Sequence, residues 1–332
     1  MSTFSSLRLT DPPSSRDAWE AQRPALLEAM QQIMGPLPGP ERRRPLDVQV
    51  DEEVDCGSYT RRLITYVSEP DCRVPAYLLI PHVALESPVP AALCPHPTDD
   101  RIGHKVVVGL GGRANRAYAS ELAQAGFVTL APAYPLLADY RPDWRALGYQ
   151  SGTMKAIWDN MCGLDLLAEQ PFVAGESFAS IGHSLGGHNS IYTAVFDPRI
   201  AVVVSSCGLD SYQDYMDGDI TGWTSDRYMP RLKDYALADL PFDFHDMIAA
   251  LAPRPCFISA PLGDSNFRWR SVDSVVETAR AVYDLYGAGE VLQVVHPDCG
   301  HDFPDAIRER AYRIIAEALG RLGAFDAEEA HS

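Results

Sequence analysis

The sequence predicts an α/β fold, with a mostly parallel central sheet flanked by helices, an N-terminal helix ahead of it and one lid-like insert. Three observations carry that expectation. From residue 91 onward, short apolar runs alternate with helical segments, the pattern of a parallel sheet covered on both faces. One of these runs breaks at Gly182-His183-Ser184-Leu185-Gly186, a G-x-S-x-G turn that swings a strand sharply into a helix and leaves the serine hydroxyl exposed. The chain has 332 residues, of which 46% are hydrophobic, enough to bury a large core in one domain.

The elements follow in order. Residues 15–34 read as a helix, with Ser14 or Ser15 as its cap and Trp19, Leu26, Leu27, Met30 and Ile33 or Met34 on one face; the run Gly35-Pro36-Leu37-Pro38-Gly39-Pro40 ends it. Residues 1–45 therefore form a helical extension. The alternating runs 46–54, 59–67 and 75–80, separated by turn residues, read as antiparallel strands leading into the main sheet. Strands are then expected at 91–94, 127–131, 178–182, 201–207, 256–260 and 291–295. Helices are expected between them near 115–125, 152–169, 185–196 and 272–286, with a last one at 306–319. The main domain spans 46–322, and 323–332 is a charged tail. Residues 208–254 interrupt the alternation with an aromatic and acidic insert containing Tyr212, Tyr215, Trp223, Tyr228, Tyr235, Phe242 and Phe244. An insert at the carboxyl edge of a parallel sheet lies where ligands bind, so it is expected to form a lid or pocket wall.

Composition narrows the partners. A formal charge of −17, from 45 acidic and 28 basic residues, repels nucleic-acid phosphates and anionic lipid, so neither nucleic acid nor membrane is expected as a partner. The N-terminal residues lack an apolar stretch behind a basic start, and seven cysteines with no C-x-x-C pair suit reduced thiols. A cytoplasmic protein is the expectation. Oligomeric state is left open.

The chemistry rests on three positions. A serine hydroxyl needs a base within hydrogen-bond reach and an acid to orient that base. In a sheet with this turn, the acid follows a later strand and the histidine follows the last one. Asp264 stands just past the 256–260 run and His301 just past 291–295, so Ser184, Asp264 and His301 occur in the required order. Asp210, after the 201–207 run, is the competing acid. His296 and His331 are poorly placed as bases, His183 is expected to point away from the serine, and Asp302 reads as a solvated or helix-capping residue. For the oxyanion hole, the first N–H donor is expected from Leu185. The second should come from His96-Pro97-Thr98, where Pro97 has no N–H and Thr98 is the next donor. His96, Arg113, Trp223 and Tyr228 are candidate substrate-binding residues, with His96 also suited to propping its loop. No zinc spacing, dinucleotide fingerprint or Walker loop occurs, so neither metal nor cofactor is expected.

Over residues 46–319 these motifs resemble the α/β-hydrolase family, and in style its dienelactone-hydrolase-like and carbohydrate-esterase-like branches. The resemblance lies in Gly182-His183-Ser184-Leu185-Gly186-Gly187, Pro261-Leu262-Gly263-Asp264 and Gly300-His301-Asp302-Phe303. The chain departs from these branches at His96-Pro97, where they often carry His-Gly, and at Ser184, where dienelactone hydrolases proper use cysteine. The resemblance implies a serine esterase acting on a small-molecule ester through an acyl-enzyme. Short acyl or ring-bearing soluble esters, carbohydrate esters among them, fit an insert rich in aromatic rings. Two alternatives stay open: a prolyl-oligopeptidase-like peptidase, against which the lack of room for a propeller before residue 46 counts, and a slow or non-catalytic ligand-binding protein.

Overall fold

The computed structural model describes Leu9 and residues 13–321; the expected tail at 323–332, with His331, lies outside the described residues. Nine strands form one sheet: β1 (Gln49–Asp55), β2 (Tyr59–Glu69), β3 (Cys72–Pro81), β4 (Val89–Leu93), β5 (Val128–Pro132), β6 (Val173–His183), β7 (Ile200–Ser206), β8 (Cys256–Ser259) and β9 (Leu292–Val295). Their spatial order is β1-β2-β3-β5-β4-β6-β7-β8-β9. The β1, β2, β3 and β5 neighbours pair antiparallel, and every pair from β5 to β9 is parallel. The predicted mostly parallel α/β sheet is therefore the observed one.

The strand alternation sends side chains to two cores. Phe178 of β6 and Val203 of β7 face the first, while Ala179, Ile181, Val202 and Val204 face the second. The first core is covered by α1 (Arg16–Met34), α3 (Gly152–Ala168), α4 (Leu185–Phe196), α5 (Phe244–Ala249) and α6 (Trp269–Leu285), and the second by α2 (Tyr118–Gln124) and α7 (Asp305–Ala318). Helix α1 starts where Ser15 Oγ accepts the Ala18 N–H at 3.2 Å. It buries Trp19, Leu26, Ala29, Met30, Ile33 and Met34 in the same core as α3 and α4, each large side chain contributing roughly 1.5–3 kcal/mol. Arg23 ties it down through the Val195 and Ala250 carbonyls.

Two departures from expectation have physical causes. Strand β6 begins at Val173, five residues before the predicted start, because its first turn, Ala174-Gly175-Glu176-Ser177, is exposed and carries no apolar signal. Helix α5 inside the insert is only six residues long, below any readable period, and is started by a capping box between Asp243 and Asp246. Among the described residues, no helix is long and apolar enough to cross a membrane.

Candidate active site

Parallel strands deliver their carboxyl ends to one edge, and there β4, β6, β7, β8 and β9 hand over to the loops that carry the candidate residues. Ser184 sits between β6 and α4 at φ 55°, ψ −121°, a strained backbone for a residue with a side chain. Its N–H donates to the Ser206 carbonyl of β7 at 2.8 Å, which holds the turn against the sheet. Two glycines make the turn possible by lacking a Cβ. One added at Gly182 would overlap the Gly186 backbone, and one added at Gly186 would overlap the Pro95 carbonyl. The second contact matters most for the site, because it lets the loop after β4 lie directly on the start of α4.

Asp264 and His301 meet across the ends of β8 and β9. Nδ1 of His301 lies 2.9 and 3.0 Å from the two Asp264 carboxylate oxygens. Asp264 is in turn held by the N–H groups of Asn266 and Phe267 at 2.8 and 3.2 Å. Burial would raise its carboxyl pKa, but the hydrogen bond and charge of His301 and these two N–H donors hold it below the usual carboxylate range. The ionised carboxylate can only accept, so Nδ1–H is the donor and the neutral imidazole carries its lone pair on Nε2. The Asp264 side chain is 1% exposed and that of His301 30%, so the carboxylate is sealed while the imidazole reaches the cavity.

Two rings pack against this imidazole. The His183 ring packs 4.8 Å from the His301 ring, and Phe267 lies at 6.0 Å on centroids. His183 thus differs from expectation: it lines the same cavity as Ser184, and its Nδ1 pairs with Ser206 Oγ at 3.0 Å. Burial pushes its pKa well down, and the charges of Arg116, His301 and Arg113 act in the same direction, so it is neutral. Asp302 is also not a solvated cap. It accepts from Arg116 Nη1 and Asn115 Nδ2, each at 2.6 Å, while Arg116 Nη2 donates to the His301 carbonyl at 3.1 Å. Burial would raise the Asp302 carboxyl, but the hydrogen bond and charge of Arg116, with the Phe303 N–H and Asn115, together hold it low. Arg116 comes from the loop before α2, about 185 residues away in sequence, so no local pattern could have announced the pair.

Asp210, the competing acid, makes no bond to His301. It is buried, accepts the Arg268 N–H at 3.0 Å, and is pushed up to about 7 chiefly by burial. Nδ1 of His96 meets the Pro97 carbonyl at 2.7 Å, and its Nε2 accepts the Tyr134 N–H at 2.9 Å. Both ring nitrogens are thus spent on backbone and the ring is buried, which fits the propping reading and corrects the substrate-binding one. Thr98, at the end of that loop, lines the cavity with Ser184, and its Oγ1 lies 3.2 Å from the Tyr228 hydroxyl of the insert. Among the described residues, neither the Thr98 nor the Leu185 backbone N–H has an acceptor.

Two cavities meet at Ser184 and Thr98. One, of about 300 Å³, is lined by Asp99, Arg113, Arg116, His183 and His301 among others. The other, of about 200 Å³, is walled by His188, Tyr215, Trp223, Tyr228, Asn266 and Phe267, with Leu185 at its base. Trp223 and Tyr228 thus stand at the serine, whereas Phe242 and Phe244 lie buried behind them and line neither cavity. Trp223 sits within 4.8–6.1 Å, on ring centroids, of His188, Tyr212, Tyr215, Tyr228, Phe244 and Phe267, so this side of the insert is a packed wall.

Cys207 Sγ, Asp264 and His301 offer ligand atoms within 4.8 Å of one another, the one such trio among the described residues. The set suits a metal poorly. Burial drives the Cys207 thiol pKa far up, its S–H reaches the Asp302 carbonyl at 3.3 Å, and the other two groups already bind each other.

The chain has the α/β-hydrolase fold. It is similar, at 25% identity over 301 residues, to "Putative hydrolase YtaP" of Bacillus subtilis (strain 168), covering 86% of this chain and 96% of that one. Its structure is similar to a glucuronoyl esterase from Solibacter usitatus, with a TM-score of 0.74, 18% identity and coverage of 92% of this chain and 94% of that one. Methylesterase BT1017 superposes with a TM-score of 0.68 at 16% identity, over 95% of this chain and 67% of its own. At these identities the structural likeness is one of fold. No family model matches the chain.

Proposed function

We propose that the protein is a serine carboxylester hydrolase acting on soluble esters of short acyl groups or ring-bearing acids and alcohols, carbohydrate esters included. The observation that carries this reading is the clasp of His301 Nδ1 by a buried, doubly held Asp264, with His301 and Ser184 on the wall of one cavity. Ser184 Oγ attacks the ester carbonyl carbon as its proton passes to His301 Nε2. The developing oxyanion is met by the free N–H groups of Leu185 and Thr98. The C–O bond then breaks, the alcohol departs with the proton from His301, and water, activated by the same imidazole, releases the acid from Ser184. No step calls for a cofactor. A cytoplasmic setting belongs to the same proposal, supported by seven free cysteines.

Labelling with a fluorophosphonate tests the reading directly. The adduct is expected on Ser184 and on no cysteine, together with turnover of a chromogenic short-chain ester. Labelling elsewhere, or no ester turnover, would favour the ligand-binding alternative.

Thr98 is assigned through its backbone, so Thr98→Pro should cost about 10² to 10³ in kcat by deleting one oxyanion donor, while Thr98→Ala should cost less than about tenfold. Equal losses would point to the side chain and its bond to Tyr228. The aromatic wall supplies uniform binding, so Tyr228→Ala should raise KM more than it lowers kcat. Trp223→Ala should do the same, but Trp223 is 3% exposed within its cluster. Its truncation also costs about 3–5 kcal/mol of stability, which makes Tyr228 the cleaner probe. An unchanged KM in both variants would remove the aromatic side from substrate binding.

A further inference from the structure

The two cavities at Ser184 differ in chemistry, and the difference assigns the two halves of an ester. A histidine that has taken the serine proton returns it to the departing oxygen, so the alcohol half must lie within reach of His301. His301 lines the Arg113 cavity and not the aromatic one. The alcohol half therefore occupies the Arg113 side, and the acyl half extends toward Trp223 and Tyr228.

The cations on the alcohol side are not equivalent. Arg116 is spent on Asp302, Asn115 and the His301 carbonyl. Arg227, which lines a separate cavity with Leu136, Arg141 and Tyr228, is paired with Asp100 at 2.6 Å. Arg113 alone of these three has no side-chain hydrogen bond or ion pair among the described residues. The one carboxylate of that lining, Asp99, makes no ion pair with it and instead caps its own loop through the N–H groups of Arg101 and Ile102 at 2.9 and 2.8 Å. Arg113 is exposed on the wall of this cavity, so its guanidinium is open to an anionic group of a bound substrate, which it can grip with paired N–H donors.

We infer that Arg113 is a specificity-determining residue that binds an anionic group, a carboxylate or phosphate, on the alcohol half of the substrate, so that the enzyme releases an anionic alcohol. This rests on the serine-esterase reading above and specifies its substrate class: acyl esters of hydroxy acids, acidic sugars or phosphorylated alcohols.

The test compares three soluble esters on wild-type protein and on Arg113→Gln: 4-acetoxybenzoate, its neutral methyl ester, and phenyl hydrogen succinate, which carries its anion on the acyl half. Wild type is expected to prefer 4-acetoxybenzoate to the methyl ester in kcat/KM at low salt. Arg113→Gln should lower that ratio about tenfold, the scale of one charge-assisted hydrogen bond. Arg113→Lys should restore part of the preference, and 4-hydroxybenzoate should inhibit the wild type more strongly than Arg113→Gln. A ratio within twofold of wild type in Arg113→Gln would overturn the assignment. A selective loss on phenyl hydrogen succinate would overturn the placement of the two halves. Absence of Ser184-dependent turnover of all three would overturn the esterase reading itself, and this inference with it.

Discussion

Ser184→Ala is expected to lower kcat for a short-chain ester by on the order of 10⁶, the loss seen when the nucleophile of a concerted serine–histidine unit is removed. The fold should survive. The turn is held by the Ser184 N–H on the Ser206 carbonyl and by the close approaches at Gly182 and Gly186, and none of these involves the hydroxyl. An unchanged melting temperature beside a collapsed rate is therefore the expected pair of measurements. Retention of more than about a tenth of the wild-type rate would sink Ser184 as the nucleophile.

Asp264→Asn should cost roughly 10⁴ in kcat with the protein still folded, and the geometry gives the reason. Oδ1 of Asp264 accepts two backbone N–H groups, so an asparagine would have to keep its carbonyl oxygen there. Its amide nitrogen would then occupy the position of Oδ2, 2.9 Å from His301 Nδ1, and would donate to it. With the carbonyl oxygen at Oδ1 as the one acceptor left for Nδ1–H, at 3.0 Å, the imidazole tautomer with its proton on Nε2 gains, and that tautomer cannot take the proton of Ser184. Asp210→Asn should be mild, because an asparagine oxygen can still accept the Arg268 N–H and no contact to His301 is lost. Steady-state kinetics on the two variants decides between the acids, and a reversed order would transfer the role to Asp210.

The sheet was legible because buried parallel strands need continuous apolar runs, and Val128–Pro132 and Ile200–Ser206 are such runs with turn residues on either side. The order of Ser184, Asp264 and His301 was legible for a related reason: chain order past successive strands translates into positions along one sheet edge. What could not be read was contact between distant loops that carry no periodicity. The Arg116–Asp302 pair joins residues on different loops, and His183 was placed by the turn alone, which says nothing of the His301 ring that comes to lie against it. The substrate-binding reading of His96 failed, though its propping one did not, because its position near the mouth was visible, whereas the Tyr134 N–H that occupies its Nε2 was not.

The junction of the two cavities at Ser184 and Thr98 has a kinetic consequence. In the proposed mechanism the alcohol departs before water attacks, so its cavity would be filled only during acylation, whereas the group beside Trp223 and Tyr228 would stay covalently held through deacylation. Discrimination on the Arg113 side would then be settled in one irreversible commitment and be visible only in kcat/KM whenever deacylation limits turnover. Discrimination on the aromatic side is exercised twice and also reaches kcat. A series of esters sharing one acyl group would then converge on a common kcat whatever alcohol it carried, and the site would behave as strict about what it keeps and kinetically silent, at saturation, about what it has already let go.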